Sequence, residues 1–168
     1  MTTMTNIPSI IQSPDFSPES RVWIYTTDRL LTDAEAAVAE QSLQAFTRQW
    51  TAHNQALLAK AEVFKNQFVI LMVDETRAGA SGCSIDKSVH FLEHLGQELG
   101  VDFFERMRFA WVENETMHFA DRTAFSHLVQ ESRITGDTPV VNTLAQTKQD
   151  LTNKWLLPFG ESWHRRLM

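Results

Sequence analysis

The chain has a single cysteine, Cys83, in 168 residues. No internal disulfide can form, which excludes a disulfide-stapled secreted scaffold and fits a reducing compartment. Long apolar runs are missing too. The longest, Phe68 to Val73, is far too short to span a bilayer. No basic segment followed by an apolar core opens the chain, so neither membrane insertion nor a signal peptide is expected. Cations are in the minority: 15 Lys and Arg stand against 21 Asp and Glu, a net charge of -6. That balance argues against a phosphate-tracking face for nucleic acid and against docking on anionic lipid. The expectation is a cytoplasmic protein. Three of the five prolines, Pro8, Pro14 and Pro18, fall in residues 1–20. This stretch reads as a flexible N-terminal tail or a draped arm, with Ile7, Ile10, Ile11 and Phe16 available to dock. Residues 21–168 then make one domain, large enough to bury a core without metal or disulfide.

What is present is a clear alternation of patterns. Val22–Thr26 is β-branched and aromatic, a first strand. Thr32 and Glu35 form a capping box, and Ala39, Leu43, Phe46 and Trp50 continue at helical spacing. Leu58–Phe64 and Gln67–Asp74 read as a hairpin turning at Lys65-Asn66, its second strand apolar throughout and therefore central. A second helix carries Ile85, Val89, Leu92 and Leu99 on one face, with Gly100 past its end. Asp102–Met107 is expected as a helical turn. Arg108–Val112 and Thr116–Phe119 read as a hairpin around Asn114, and Asp121 caps a helix with Phe125, Leu128 and Val129. Val140-Val141 suggests a short strand, and Thr143–Gln146 reads as a capping box opening a helix to Leu151. Trp155 to Met168 is expected to pack back on the domain. The order strand–helix–strand–strand–helix–strand predicts an α+β fold with a ferredoxin-like split βαβ core, an antiparallel sheet and a C-terminal α/β extension.

That topology brings two polar segments to one edge. One is Asp74-Glu75 with the loop Gly79 to Asp86, and the other is Trp50-Thr-Ala-His53. Gly79 and Gly82 permit a tight strand-to-helix turn. Ser81, Gly82, Ser84 and Lys87 surround the start of the second helix, where free N–H groups and the positive dipole end favour an anion. The same physics favours a thiolate at Cys83, with His53 as base and Asp74 as its orienter. Two readings follow: a small domain binding an anionic ligand or a partner, with a homodimer among the options, or a cysteine-dependent enzyme or redox protein. Against both stands a plain structural role, with serine as cap and cysteine as filler.

Trp50–His53, Val73–Glu75, Gly79–Val89 and Val101–Phe104 also resemble an uncharacterised family of small bacterial proteins often labelled ABC transporter ATPase. The resemblance runs from about Val22 to Ser162-Trp-His164. It implies ATPase activity only through the label. A phosphate-binding loop requires glycines six and one residues before its lysine. Lys87-Ser88 is preceded by Ser81 and Asp86 at those places, and the aspartate would repel phosphate. No nucleotide cofactor is expected.

His90-Phe-Leu-Glu93-His94 matches an inverted zinc-protease pattern, with both histidines one turn apart. They lie opposite the apolar stripe and lack a third ligand, so a solvated helix face is expected and no metal. The Asp74-Glu75 and Glu113/Glu115 pairs read as solvated strand ends. The Trp163-His-Arg-Arg166 terminus reads as a docked segment.

Overall fold

The computed structural model describes residues 4–76 and 78–168. The chain is α+β with antiparallel sheets, in four layers. The first sheet joins β1 (Arg21–Thr26), β4 (Leu58–Phe64) and β5 (Phe68–Asp74) in the order β1-β5-β4, so β5 lies between two strands that a helix connects. That helix, α1 (Asp33–Gln49), starts at the expected box: Thr32 accepts from the Glu35 N–H and Glu35 accepts from Thr32. The Arg29 guanidinium also grips Glu35, and with the Thr32 N–H it holds the carboxyl down at about 2. Between α1 and β4 lies a small hairpin, β2 (Thr51–Ala52) and β3 (Gln55–Ala56). The β4–β5 turn is made by Lys65 and Asn66, both at positive φ.

All seven residues of β5 are buried, because both faces of the first sheet are covered. Val69, Leu71 and Val73 pack with α1 and with α2 (Gly82–Leu99). Phe68, Ile70 and Met72 pack against a second sheet. That sheet has the order β7-β6-β8-β9, from β6 (Arg108–Glu113), β7 (Thr116–Asp121), β8 (Pro139–Val141) and β9 (Leu156–Pro158). Its far face is closed by α3 (Arg122–Gln130) and the C-terminal residues, through Phe109, Trp111, Phe125 and Phe159. Another helix, α4 (Lys148–Lys154), leads into β9.

Four expectations change. The strand at Arg108–Val112, expected to complete the first sheet beside β1, belongs instead to the second sheet. Asp102–Met107 is not helical. Its N–H groups go elsewhere: Asp102 donates to the Asp28 carboxylate and Glu105 to the Thr26 carbonyl. Thr143–Gln146 opens no helix, since the Gln146 carbonyl accepts from Val22 and α4 is capped by Thr147, which accepts from Asp150. The buried stripe of α2 is Ser84, Ser88, Leu92, Leu95 and Gly96. The two serines bury their hydroxyls by donating to carbonyls of their own turn. A Cβ at Gly96 would sit 2.5 Å from the Val101 carbonyl oxygen, so only glycine lets the chain double back there.

From Thr5 onward the N-terminal segment is laid on the domain as an arm. Ile10 and Phe16 are buried. Glu62 accepts from Ser9 and Ile10, Lys148 Nζ donates to the Ser13 and Phe16 carbonyls, and Trp155 donates to Asn6. Among the described residues no helix is long and apolar enough to cross a membrane.

The two edges of the first sheet differ. At β4, α1 lies alongside and its side chains take the free backbone groups: Glu40 accepts from Val63 N–H and Gln44 donates to the Ala61 carbonyl. Closing an edge in this way removes a template for further pairing. The β1 edge is closed only in part.

Candidate functional site

The Gly79–Asp86 loop is built around its own groups. Ser81 caps α2 by accepting from Ser84 N–H, and the Ser84 hydroxyl accepts from Ser81 N–H. Glu75 accepts from Ala80 N–H at 2.9 Å and lies 3.7 Å from Arg21. The carboxylate this loop holds is therefore its own. A Cβ on Gly79 would come to 3.1 Å from the same Glu75 oxygen, so the carboxylate and the loop are closely fitted. Gly82, Cys83 and Lys87 are exposed.

The other two candidates are divided between faces. His53 is exposed at the β2–β3 turn with φ 51, and Trp50, just before that hairpin, donates from Nε1 to the Ser84 carbonyl at 2.8 Å. That bond sets the base of the hairpin beside the start of α2, near Cys83. Among the described residues no hydrogen bond joins Cys83 to His53. Asp74 ends β5 just before Glu75, but its side chain is turned to the other face of the sheet. Side chains alternate along a strand, and Asp74 shares its face with Met72 and Ile70, toward the second sheet. Its carboxylate accepts from Ser17 of the arm and from Thr76. Asp74 thus anchors the arm and does not orient His53. His90 and His94 are exposed on α2, with His90 Nδ1 3.6 Å from Glu93. Among the described residues no three His, Cys, Asp or Glu are grouped to hold a metal.

The concavity with the most built-in chemistry lies elsewhere, beside β1. It is a half-enclosed cleft of about 520 Å³ whose wall includes Ile24, Phe104, Met107, Leu144, Trp163 and Leu167. Met107 and Leu144 are 46% and 61% exposed, so its rim is apolar. Tyr25 meets Phe104 edge-on at 5.5 Å, and burial pushes its hydroxyl pKa up against the lowering effect of a Ser88 hydrogen bond. Arg106 and Arg108 bring positive charge. Burial pulls the Arg108 guanidinium's pKa down, offset in part by Asp28 and Glu105 nearby.

The cleft runs along β1, where Ile24, Tyr25 and Thr26 line it. Residues of a strand point their N–H and C=O groups alternately to either side. Val22 N–H donates to Gln146 and the Thr26 carbonyl accepts from Glu105, at 3.0 and 3.1 Å. The even-numbered residues of β1 therefore face away from β5. Ile24 lies between them, and neither its N–H nor its C=O has a partner among the described residues. The sequence held two signals of this site, Met107 between Arg106 and Arg108, and Leu144 beside Asn142-Thr143. Both were assigned to helical turns that do not form.

No protein-family model, no curated protein and no solved structure matches the chain.

Proposed function

We propose that this chain is a non-catalytic binding domain that holds a small, largely apolar organic ligand in the cleft beside β1. The observation that carries this reading is the cleft's composition: an apolar wall around an unpaired strand backbone, with arginines at hand. Ligand sites combine this size and apolar lining with a few fixed polar groups. Arg106 and Arg108 favour a ligand that carries negative charge, in keeping with an anionic small molecule. A second depression of about 490 Å³, walled by Asp28, Glu93 and Asp102 among others, supports the reading less well. There the Asp28 and Asp102 carboxylates already accept from Asp102 and Phe104 N–H.

The test uses an aromatic sulfonate, 8-anilinonaphthalene-1-sulfonate, titrated against the full chain. One equivalent should bind with enhanced fluorescence. A Met107→Gln, Leu144→Gln double variant removes the apolar rim and should weaken binding about tenfold. Both residues are exposed, so stability should change by less than about 0.5 kcal/mol each. Unchanged affinity in the double variant would refute the cleft as the site.

A second reading, a cysteine-dependent enzyme or redox protein, is favoured by one observation: Cys83 is exposed at the first turn of α2. With Asp74 on the opposite face of β5, that reading rests on Cys83 and His53 alone.

A further inference from the structure

In a split βαβ sheet the outer edge of the first strand is where a fourth strand pairs. Here β6 has gone to the second sheet. Two irregular segments take the ends of the vacated edge: Phe104 bridges Thr26 in parallel, and Thr147 bridges Arg21 antiparallel. The middle of the edge, at Ile24, is left as backbone opening on the cleft.

That remnant has a definite chemistry. An extended residue presents its N–H and C=O side by side, and another extended residue can exchange both bonds with it. An occupant of the Ile24 position must therefore offer one acceptor and one donor at the spacing of a single amino-acid residue. It must also be short. From Val22 to Thr26 the strand advances only about 13 Å, and both ends of that span are already bonded. A continuous added strand does not fit, whereas one residue flanked by amide bonds does. Its side group meets Phe104, Met107, Leu144, Trp163 and Leu167, so it is apolar.

We infer that the ligand is an acylated apolar amino acid or a close amide analogue, bound by completing the edge of β1 at Ile24. The Ile24 N–H donates to the ligand's carbonyl, and the ligand's N–H donates to the Ile24 carbonyl. This inference rests on the cleft being the ligand site.

The test is a titration of the isotopically labelled full chain with N-acetyl-L-leucine N-methylamide, followed by NMR. A parallel titration uses the same compound methylated on the leucine nitrogen, which removes the donor to Ile24. The parent compound should move the Ile24 amide, the Met107 methyl and the Trp163 indole resonances, and slow exchange of the Ile24 amide about tenfold at saturation. The methylated compound should bind about tenfold more weakly, the usual effect of losing one hydrogen bond. Ile24→Pro removes the N–H donor without breaking a ladder bond, because that N–H faces away from β5. It should weaken the parent compound about tenfold, and amide exchange in the unaltered chain decides the matter if the variant does not fold. If both compounds bind equally and move the Met107 and Trp163 signals, the amide inference fails while the cleft stands. If neither moves any cleft resonance at millimolar concentration, the amide inference is overturned, and the sulfonate titration separately decides the cleft.

Discussion

Trp50 joins three parts of the fold, and replacing it tests how they are held. The ring is 2% exposed. It packs at 5.1 Å from Phe46 on α1 and 6.1 Å from Trp23 on β1, and its indole N–H reaches the Ser84 carbonyl on α2. Trp50→Ala empties a large volume between two helices and a sheet, a change that costs about 3–5 kcal/mol. In a chain of this size each kcal/mol lowers Tm by about 2–4 °C, so the variant should melt about 6–20 °C lower. Trp50→Phe separates the two contributions. It keeps much of the ring and loses the N–H, and the Ser84 carbonyl still belongs to the first turn of α2, so about 1–2 kcal/mol is expected. Urea unfolding followed by circular dichroism gives both values. A Trp50→Ala loss under 1 kcal/mol would show that the ring is not a packing element, and the account of the first core would fail. Equal losses in the two variants would place the stabilisation in the hydrogen bond alone.

Three other outcomes are expected. Gln67 is 1% exposed and neither amide atom of its side chain has a hydrogen-bond partner among the described residues. Gln67→Met should therefore raise stability by about 1–3 kcal/mol in urea unfolding, and a loss would mean that the amide is satisfied after all. His164 is buried against Trp163 and Phe109, and burial pulls its pKa down to about 4. The unfolded chain then binds the extra proton first, so stability is complete above about pH 6.5 and falls by about 3 kcal/mol as pH drops to 4. Thermal melts across that window should show a slope that His164→Asn flattens, and an equal slope in the variant would refute the assignment. Cys83 is exposed, so iodoacetamide should label it in the native protein within about tenfold of the denatured rate, and labelling only after denaturation would contradict the structure.

Patterns that depend on near neighbours were legible in the sequence. The capping box at Thr32, the helix cap at Asp121, the turns at Lys65-Asn66 and Asn114, and the buried strand at Phe68–Asp74 are all where local chemistry places them. The candidate loop was legible in its capping serines and not in its electrostatics, because Glu75 reaches it only after the chain turns back. The face on which Asp74 lies was not legible for a related reason. Every residue from Phe68 to Val73 is apolar, so the run carries no alternation to say which side meets the helices. The stripe on α2 was displaced because Ser84 and Ser88, polar by type, bury themselves on their own helix carbonyls.

The two larger misreadings share one cause. Asp102–Met107 and Thr143–Gln146 both have helix-compatible local sequences, yet both lie against the edge of β1 and direct backbone groups to it. Their conformations depend on where β6 goes. Its hairpin with β7 has an apolar face on each side: Ala110 and Val112 meet the first sheet, while Phe109 and Trp111 meet α3. A strand at the edge of the first sheet would present one of those faces to α1 and α2, the helices already seated there. In a separate layer it buries both. The second sheet thus draws the fourth strand away from β1, two connecting segments patch the ends of the exposed edge, and the gap they leave at Ile24 lines the cleft. If the ligand completes that edge, binding restores at one residue the pairing that the layered core displaced, and protection of the Ile24 amide is its most direct signature.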